Sequence, residues 1–209
     1  MGSSPSFLEP VVIPLIRGKS ILDVGCGWGR WGCLFRTNHF EWGIDSFPQV
    51  SGIDGDEACC KACNDLGVYE LVRQALVPCS LPRKEFDTVF ASEIIEHLSE
   101  SQIDIFIDGL ISAAWKRVII TTPNFSCLKG GSDSPLGFNE LDHHLSFIPQ
   151  SYFLSRGFIL RGVGFHGGAS IKGKLILKCL RLFGLKYSEC WTVNGFSYYM
   201  PSLAHTTVA

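Results

Sequence analysis

Apolar residues along the chain follow two spacings, and segments with one spacing alternate with segments of the other. Short runs rich in β-branched residues are typical of buried strands, and between them lie segments whose apolar residues recur at helical intervals. Strands that alternate with helices favour a mostly parallel sheet covered on both faces. The pattern therefore predicts an α/β fold with a doubly wound sheet.

Seven strands and four helices account for most of the chain. The predicted strands are Ser20–Val24, Val50–Asp54, Tyr69–Arg73, Phe86–Ala91, Arg117–Thr122, Phe158–Phe165 and Ala204–Val208. The predicted helices are Arg30–Thr37, Asp56–Leu66, Ser99–Ala114 and Pro149–Arg156. The third helix begins with a capping box, because Ser99 is followed three residues later by Gln102.

These elements fit a single domain over residues 1–209, a length that buries one full core. Three segments lie outside the pattern: a lead-in at 1–19, a polar loop at 125–148, and a basic and apolar insertion at 166–202 before the last strand. The loop follows the carboxyl end of a strand, which is the edge where open α/β sheets bind ligands. We expect this loop to line a substrate pocket.

Charge is distributed unevenly, although the formal net charge is only −2. Residues 1–150 contain 11 Lys and Arg against 19 Asp and Glu, whereas residues 151–209 contain 7 against 1. A basic C-terminal part can bind an anionic substrate or a membrane surface, but basic residues that solvate one face are the commoner case. Lysines and an arginine interrupt the apolar region 171–186, so we expect peripheral membrane contact at most and no stable insertion.

The nine cysteines are best explained as reduced thiols in the cytoplasm, because the first residues lack the features of a secretory signal. The string Cys59-Cys60-Lys61-Ala62-Cys63 contains a C-x-x-C spacing, which is compatible with a metal or redox role. No second pair at ligand spacing follows it. We expect these cysteines to pack against the sheet and predict no metal site.

A glycine-rich string follows the first strand and precedes the first helix. Gly25, Gly27 and Gly29 allow backbone conformations closed to other residues, and they let a ligand approach a helix N-terminus. The spacing of Gly27, Gly29 and Gly32 also matches a dinucleotide loop, which would hold a pyrophosphate. Asp23 would sit badly beside a pyrophosphate, but its charge suits a cationic amino group or a sulfonium.

The string Asp23-Val24-Gly25-Cys26-Gly27-Trp28-Gly29 resembles the first motif of the class I S-adenosylmethionine-dependent methyltransferases, a strand followed by Asp-x-Gly-x-Gly-x-Gly. The resemblance extends from Ser20 to about Val208. It implies one Rossmann-like domain with a seven-stranded sheet, and S-adenosylmethionine as the cofactor. It also implies cofactor contacts from Asp23, Gly25, Cys26, Gly27 and Gly29.

In this family the second strand ends with an acid that holds the ribose hydroxyls. Asp54, followed by Gly55, takes that place, and Asp45 is a rival at a more usual distance from the glycines. We prefer Asp54 because a predicted helix follows it, whereas Ser46-Phe47-Pro48 after Asp45 is typical of a turn.

The adenine side departs from the family pattern, in which an acid often follows the third strand. No acid stands there in this chain, so the resemblance leaves adenine recognition to Gln74 or to backbone groups near Ala75 and Leu76.

The resemblance places Ala91, Ser92 and Glu93, at the end of the fourth strand, beside the methionine part of the cofactor. His97 follows in the same string. Its imidazole is either a base near neutral pH or a cap of the next helix, and we favour the structural role.

His143 and His144 resemble the His-containing stretch that precedes the penultimate element in many small-molecule methyltransferases. One of them is our candidate for a catalytic base on the acceptor side, although paired histidines in a polar loop are also common at surfaces. We therefore predict methyl transfer to a small molecule, with oxygen, nitrogen and carbon all open as the acceptor atom.

Two alternatives remain from the sequence: an NAD(P)-dependent oxidoreductase, and a methyltransferase-fold protein that binds cofactor without transferring a methyl group. Nucleic acid is disfavoured as the acceptor because no basic stripe is interleaved with aromatic residues. The oligomeric state is left open.

Overall fold

Five parallel strands form the centre of the sheet in the computed structural model, which describes residues 4, 8–38, 47–123, 133–134, 137–138, 140–163 and 196–201. The strands are β1 (Ser20–Val24), β2 (Gln49–Asp54), β3 (Leu71–Gln74), β4 (Phe86–Ser92) and β5 (Ala114–Pro123). Their spatial order is β3-β2-β1-β4-β5. Because the order reverses beside β1, a crevice for ligands is expected where β1 and β4 end.

The helices are α1 (Glu9–Val12), α2 (Arg30–Asn38), α3 (Glu57–Leu66), α4 (Glu100–Ala113) and α5 (Gln150–Ser155). Asp56 caps α3 by accepting a hydrogen bond from the Ala58 amide. The predicted capping box of α4 is confirmed, because the Gln102 Oε1 atom accepts from the Ser99 amide at 3.0 Å.

The sheet is covered on both faces, as the alternation of strands and helices predicts. Leu22 and Val24 of β1 belong to one buried cluster, which also contains the apolar face of α4. Ile21 belongs to the other cluster, together with Trp31 and Phe35 of α2. Successive residues of a strand point to opposite faces, so a strand buried on both faces separates two apolar layers. The α/β, Rossmann-like class is therefore confirmed.

The structure adds strands that differ from the prediction. Within the loop 125–148, β6 (Asp133–Ser134) and β7 (Gly137–Phe138) form a short antiparallel pair. Beyond it, β8 (Phe158–Val163) pairs with β9 (Phe196–Pro201), and β9 runs antiparallel to β5.

The position of β9 corrects the predicted insertion at 166–202, because the last part of that range is a strand. Its run Phe196-Ser-Tyr-Tyr-Met is rich in aromatic residues, which favour strands. The predicted strand Ala204–Val208 lies outside the described residues, as does the basic region 171–186.

Two boundaries also differ. Ala114 is the first residue of β5 and not the end of α4. The lead-in 1–19 is part of the core, since Leu8, Val12 and Leu15 are buried against α2 and the sheet.

No helix within the described part of the chain is long and apolar enough to cross a membrane.

Candidate functional site

The glycine loop after β1 turns sharply beneath the end of β2. Gly25, Gly27 and Gly29 all have positive φ angles, of 75°, 52° and 81°. The amide of Gly25 donates to the Ile53 carbonyl at 2.7 Å, which fixes the turn to β2. A Cβ atom at Gly27 would meet nothing within 4 Å, so the loop borders open space at this residue. A ligand can approach the backbone closely there.

Asp23 is buried at the end of β1, with one carboxylate oxygen satisfied and the other not. Its Oδ2 atom accepts a hydrogen bond from the Tyr69 hydroxyl at 2.7 Å, and its Oδ1 atom has no hydrogen-bond partner among the described residues. Burial raises the pKa of Asp23 to about 7, and the nearby charge of Asp54 adds to the rise. A cation placed at this carboxylate would stabilise its charged form.

Asp54 joins the end of β2 to the glycine loop. Its Oδ2 atom accepts from the Gly27 amide at 2.8 Å, and its Oδ1 atom accepts from the Asp56 amide at 2.9 Å. Burial raises the pKa of Asp54, and these amide hydrogen bonds oppose the rise. These bonds hold the side chain beside the open space at Gly27, so it shapes the glycine loop. The rival acid, Asp45, lies outside the described residues.

The predicted adenine side has less free backbone than the sequence suggests. The Ala75 amide donates to the Asp54 carbonyl at 2.8 Å, so it is already used within the sheet. Leu76 is 64% exposed and lies over Gly55, where a Cβ atom would come within 2.6 Å of Leu76 Cδ2. Leu76 thus offers an apolar contact surface, whereas the Ala75 amide is not available to a ligand.

The end of β4 is tied to β5 by hydroxyl groups. Ser92 Oγ lies 2.7 Å from Thr121 Oγ1, and Thr121 Oγ1 donates to Glu93 Oε1 at 2.8 Å. Ser92 must therefore donate to Thr121. On the other side, Ser92 Oγ lies 2.5 Å from Ser4 Oγ, and Ser4 accepts from the indole of Trp31 at 3.0 Å. Glu93 stands at the end of this chain of donors.

Glu93 itself adopts a positive φ of 55°, a conformation rare for a residue with a side chain. Burial raises the pKa of its carboxyl to about 7. The buried Ala91 precedes it in β4, beside Val24 of β1. Ile94 follows it, and the Ile94 Cδ1 atom would lie 2.0 Å from a Cβ atom at Gly25. The turn after β4 therefore packs directly against the glycine loop.

Glu96 is a second buried carboxylate in this turn. Its Oε2 atom accepts from Thr122 Oγ1 at 3.1 Å, and within the described part of the chain its Oε1 atom has no hydrogen-bond partner. Burial and the charge of Glu93 raise the pKa of Glu96 well above its ordinary value. The Glu96 carbonyl accepts the amides of Leu145 and Ser146, at 2.8 and 3.1 Å. These bonds fasten the end of the loop 125–148 to the turn.

The structure brings His97 together with the paired histidines. His97 Nδ1 lies 2.9 Å from the His143 carbonyl, and the rings of His97 and His144 meet edge to face with centroids 4.8 Å apart. Burial lowers the pKa of His97. The predicted helix-capping role of His97 is wrong, because Ser99 caps α4 and His97 instead bonds across the site to the loop.

Ligand-type atoms of Glu96, His97 and His144 all lie within 4.8 Å of one another. The sequence motifs predict His144 as a site residue but not Glu96. The feature that could have indicated Glu96 is an acid next to a histidine soon after a buried strand.

The cysteines of α3 pack as predicted. Cys59, Cys60 and Cys63 are buried, and the Cys63 thiol donates to the Gly27 carbonyl at 3.2 Å. Cys26, a predicted cofactor contact, is also buried, with its sulfur 3.6 Å from that of Cys63. Its side chain therefore supports the loop from behind, and its amide is already bonded to the Ile53 carbonyl at 3.1 Å.

Comparison with known proteins finds methyltransferases. The model of a family described as a methyltransferase domain matches residues 22–107, from β1 into α4. A sphingolipid C9-methyltransferase of Candida albicans is 24% identical over 109 residues, which make up 46% of this chain. The chain spans only 20% of the length of that relative.

Solved structures share the fold. An S-adenosylmethionine-dependent methyltransferase from Mesorhizobium loti has a TM-score of 0.59 at 14% identity, over 93% of this chain and 97% of that one. One from Archaeoglobus fulgidus has a TM-score of 0.56 at 18% identity, over 92% and 90%. The fold is thus the Rossmann-like methyltransferase fold. The resemblance found in the sequence is confirmed, because residues 22–107 match the model of a methyltransferase-domain family and the fold is that of S-adenosylmethionine-dependent methyltransferases.

Proposed function

We propose that the protein transfers a methyl group from S-adenosylmethionine to a small molecule. The observation that carries the proposal is the buried Asp23, whose Oδ1 atom lacks a partner at the start of a loop that borders open space at Gly27. A buried carboxylate without a partner is costly unless a cation or donor completes it. The amino group and sulfonium of S-adenosylmethionine carry positive charge, which this carboxylate attracts. A pyrophosphate is negatively charged, so the carboxylate would repel it.

One side of the proposed site binds the ribose and adenine of the cofactor, and the other side binds its methionine part. Asp54 and Gly55 hold the ribose, Leu76 contacts the adenine, and the backbone from Gly25 to Gly29 bounds the methionine part. Glu93 closes that part from the end of β4, next to Ala91 and Ser92. The cofactor supplies the electrophilic methyl group. The chain must place the acceptor atom in line with it and exclude water.

His144 is the proposed acceptor-side base, and His143 positions it through the backbone contact with His97. A base is needed only for an acceptor that loses a proton during transfer. Both histidines lie on the segment that the Glu96 carbonyl holds against the turn after β4. The segment therefore presents them at the same sheet edge as the cofactor loop.

An acceptor with an apolar part fits this side best. Leu141, Leu145 and Phe147, on the segment that carries the two histidines, are all at least 43% exposed. Exposed apolar side chains that cluster on one short segment mark a binding surface more often than scattered ones do. The relative from Candida albicans, named for its action on a sphingolipid, is an example of a methyltransferase with an apolar small-molecule acceptor.

We further propose that residues 1–209 form one domain with a seven-stranded sheet, in which β8 and β9 complete the edge beyond β5. Phe153 of α5 and Phe158 of β8 lie in the same core cluster as α4, which supports one continuous core. A cytoplasmic location accords with the six cysteines of the described residues, which are free thiols.

The first experiment separates the cofactors. Thermal unfolding of the purified protein is measured with S-adenosylhomocysteine, NAD and NADP in turn, because a ligand that binds the folded state raises the midpoint. We expect stabilisation by S-adenosylhomocysteine alone. Stabilisation by NAD or NADP without S-adenosylhomocysteine would overturn the proposal in favour of an oxidoreductase.

The second experiment identifies the acceptor. S-adenosylmethionine with a labelled methyl group is incubated with the protein and with lipid and aqueous fractions of host extract, and mass spectrometry identifies what gains label. We expect labelled product in the lipid fraction, and none with His144→Ala if the acceptor must lose a proton. Cofactor binding without any labelled product would favour a protein that binds cofactor without transferring the methyl group.

A further inference from the structure

The buried carboxylate of Glu96 faces a group of metal-ligating atoms that the cofactor proposal does not use. Glu96 is 3% exposed, and its Oε1 atom has no hydrogen-bond partner in the residues that the structure describes. Atoms of Glu96, His97 and His144 that can bind a metal lie within 4.8 Å of one another. A buried oxygen of this kind costs free energy that a bound cation would recover.

The hydrogen bond of His97 prepares its ring for a metal. A carbonyl oxygen can only accept, so the 2.9 Å contact with the His143 carbonyl requires a proton on His97 Nδ1. A neutral ring with Nδ1 protonated keeps its lone pair on Nε2. Histidine ligands in metal sites commonly donate their other ring nitrogen in this way.

The segment that carries His144, the third donor, is also held in place. The Leu145 and Ser146 amides both donate to the Glu96 carbonyl, so the chain directly after His144 is anchored on Glu96 itself. Two donors bound to one ion at about 2.1 Å lie up to about 4.2 Å apart, so small side-chain rotations would close the present separation. The nearby charge of Glu93 makes the electrostatic potential at Glu96 more negative, which favours a cation there.

We propose that Glu96, His97 and His144 bind a divalent transition-metal ion. Two imidazoles and one carboxylate favour ions such as Zn²⁺, Co²⁺ or Mn²⁺ over Mg²⁺ and Ca²⁺, which prefer oxygen. Three protein donors leave coordination positions open for an outside ligand. A ring nitrogen of His144 that binds the ion cannot also accept a proton, so in the metal-bound site the ion, and not His144, acts on the acceptor oxygen or nitrogen. Ion binding itself does not depend on the proposed methyl transfer, whereas this role of the ion does. The proposal departs from the expectation of no metal.

The test is calorimetric titration of the full, chelator-treated chain with Zn²⁺ and, separately, Mg²⁺. We expect one Zn²⁺ per chain and no comparable Mg²⁺ binding. Glu96→Gln and His144→Ala should each weaken Zn²⁺ binding at least about tenfold, since even outer contacts of a metal site are worth that much. Glu100→Gln, at an exposed acid in α4, is the matched control and should bind as the wild type does.

Co²⁺ provides a readout that does not depend on any variant. Nitrogen and oxygen ligands give cobalt d–d bands without thiolate charge-transfer bands, which distinguishes this site from the cysteines of α3. Thiolate bands would overturn the proposal. So would a wild type that does not bind Zn²⁺, or ligand variants that bind Zn²⁺ as tightly as the wild type does. Binding of S-adenosylhomocysteine is measured in parallel, and a wild type that binds Zn²⁺ but not S-adenosylhomocysteine would count against the proposed function alone.

Discussion

The glycine loop and the turn after β4 lie side by side at one sheet edge, yet they are held in different ways. In the loop, the carboxylates of Asp23 and Asp54 are bonded to Tyr69, Gly27 and Asp56, which lie on or beside the neighbouring parallel strands β1, β2 and β3. In the turn, Glu96 is bonded to Thr122 of β5 and to residues 145 and 146, which belong to no helix or strand. The cofactor side is held between consecutive regular elements, whereas the acceptor side also depends on an irregular segment that returns to the sheet edge.

Both sides nevertheless contain the same electrostatic element, a buried carboxylate with one unpartnered oxygen. These oxygens are Asp23 Oδ1 and Glu96 Oε1. On our proposals, the first is completed by a cation that arrives with each cofactor molecule, and the second by an ion that stays. The comparison predicts that changes on one side leave binding on the other side intact.

The largest effect is expected at Asp54. Asp54→Ala removes the acceptor for the Gly27 and Asp56 amides and the proposed ribose contact. Since hydrogen bonds to a charged group contribute about 1.5–3 kcal/mol each, S-adenosylhomocysteine should bind at least about 100-fold more weakly. Calorimetry measures this, with the exposed Asp65→Ala as control. An affinity within about twofold of the wild type would refute the assignment, and Zn²⁺ binding should persist.

Gly32→Ala should have the next largest effect, on stability. A Cβ atom there would lie 2.3 Å from Tyr69 Cζ in a buried contact. Overpacking of this kind lowers the free energy of unfolding by about 2 kcal/mol. Gly67→Ala is the control, because its Cβ atom meets nothing within 4 Å and only its positive φ of 64° is strained. Chemical denaturation compares them; a larger loss at Gly67 would contradict the packing argument.

The third prediction concerns pH at Asp23. Burial raises its pKa from 3.8 to about 7, so the protonated form favours the folded state without cofactor. That contribution to stability is complete below pH 3.8 and is lost as the pH rises through about 7. A cofactor cation needs the charged form. Affinity for S-adenosylmethionine should therefore rise by up to about tenfold per pH unit below 7 and then level off.

Asp23→Asn is the control for this pH dependence, because an amide does not titrate. Its affinity should be low and flat with pH, and its free energy of unfolding should not fall between pH 4 and 7 as that of the wild type does. Parallel pH profiles of the two proteins would show that another group is responsible.

The smallest effect is expected at Thr122. Thr122→Val removes the donor to Glu96 Oε2, so the free energy of unfolding should fall by about 1 kcal/mol. Affinity for S-adenosylhomocysteine should stay within about twofold of the wild type, since Thr122 belongs to the other side. Thermal and chemical denaturation with cofactor titration measure both. A marked loss of cofactor affinity would mean that the two sides are coupled.

The same contrast explains what the sequence could predict. The strand β1 and the glycines form one continuous string, and Asp54 ends a strand that a predictable helix follows, so motif and pattern were enough to identify them. Glu96 could not be linked to His144, because that contact depends on how the segment after residue 140 folds back. The strand β9 was missed for a related reason: its partners, β5 and β8, are far away along the chain. The lead-in was set aside as irregular, although Leu8, Val12 and Leu15 are buried in the core.

The hydroxyl chain behind Glu93 has a practical consequence for handling the protein. It runs from Trp31 through Ser4, Ser92 and Thr121 to Glu93, and each group donates to the next. Ser4 stands near the start of the chain, so a trimmed N-terminus or a tag that displaces it would leave Ser92 without its donor. Preparations that keep Ser4 and preparations that lack it should then differ in activity, so Ser4 must be in place in the reference protein for every assay above.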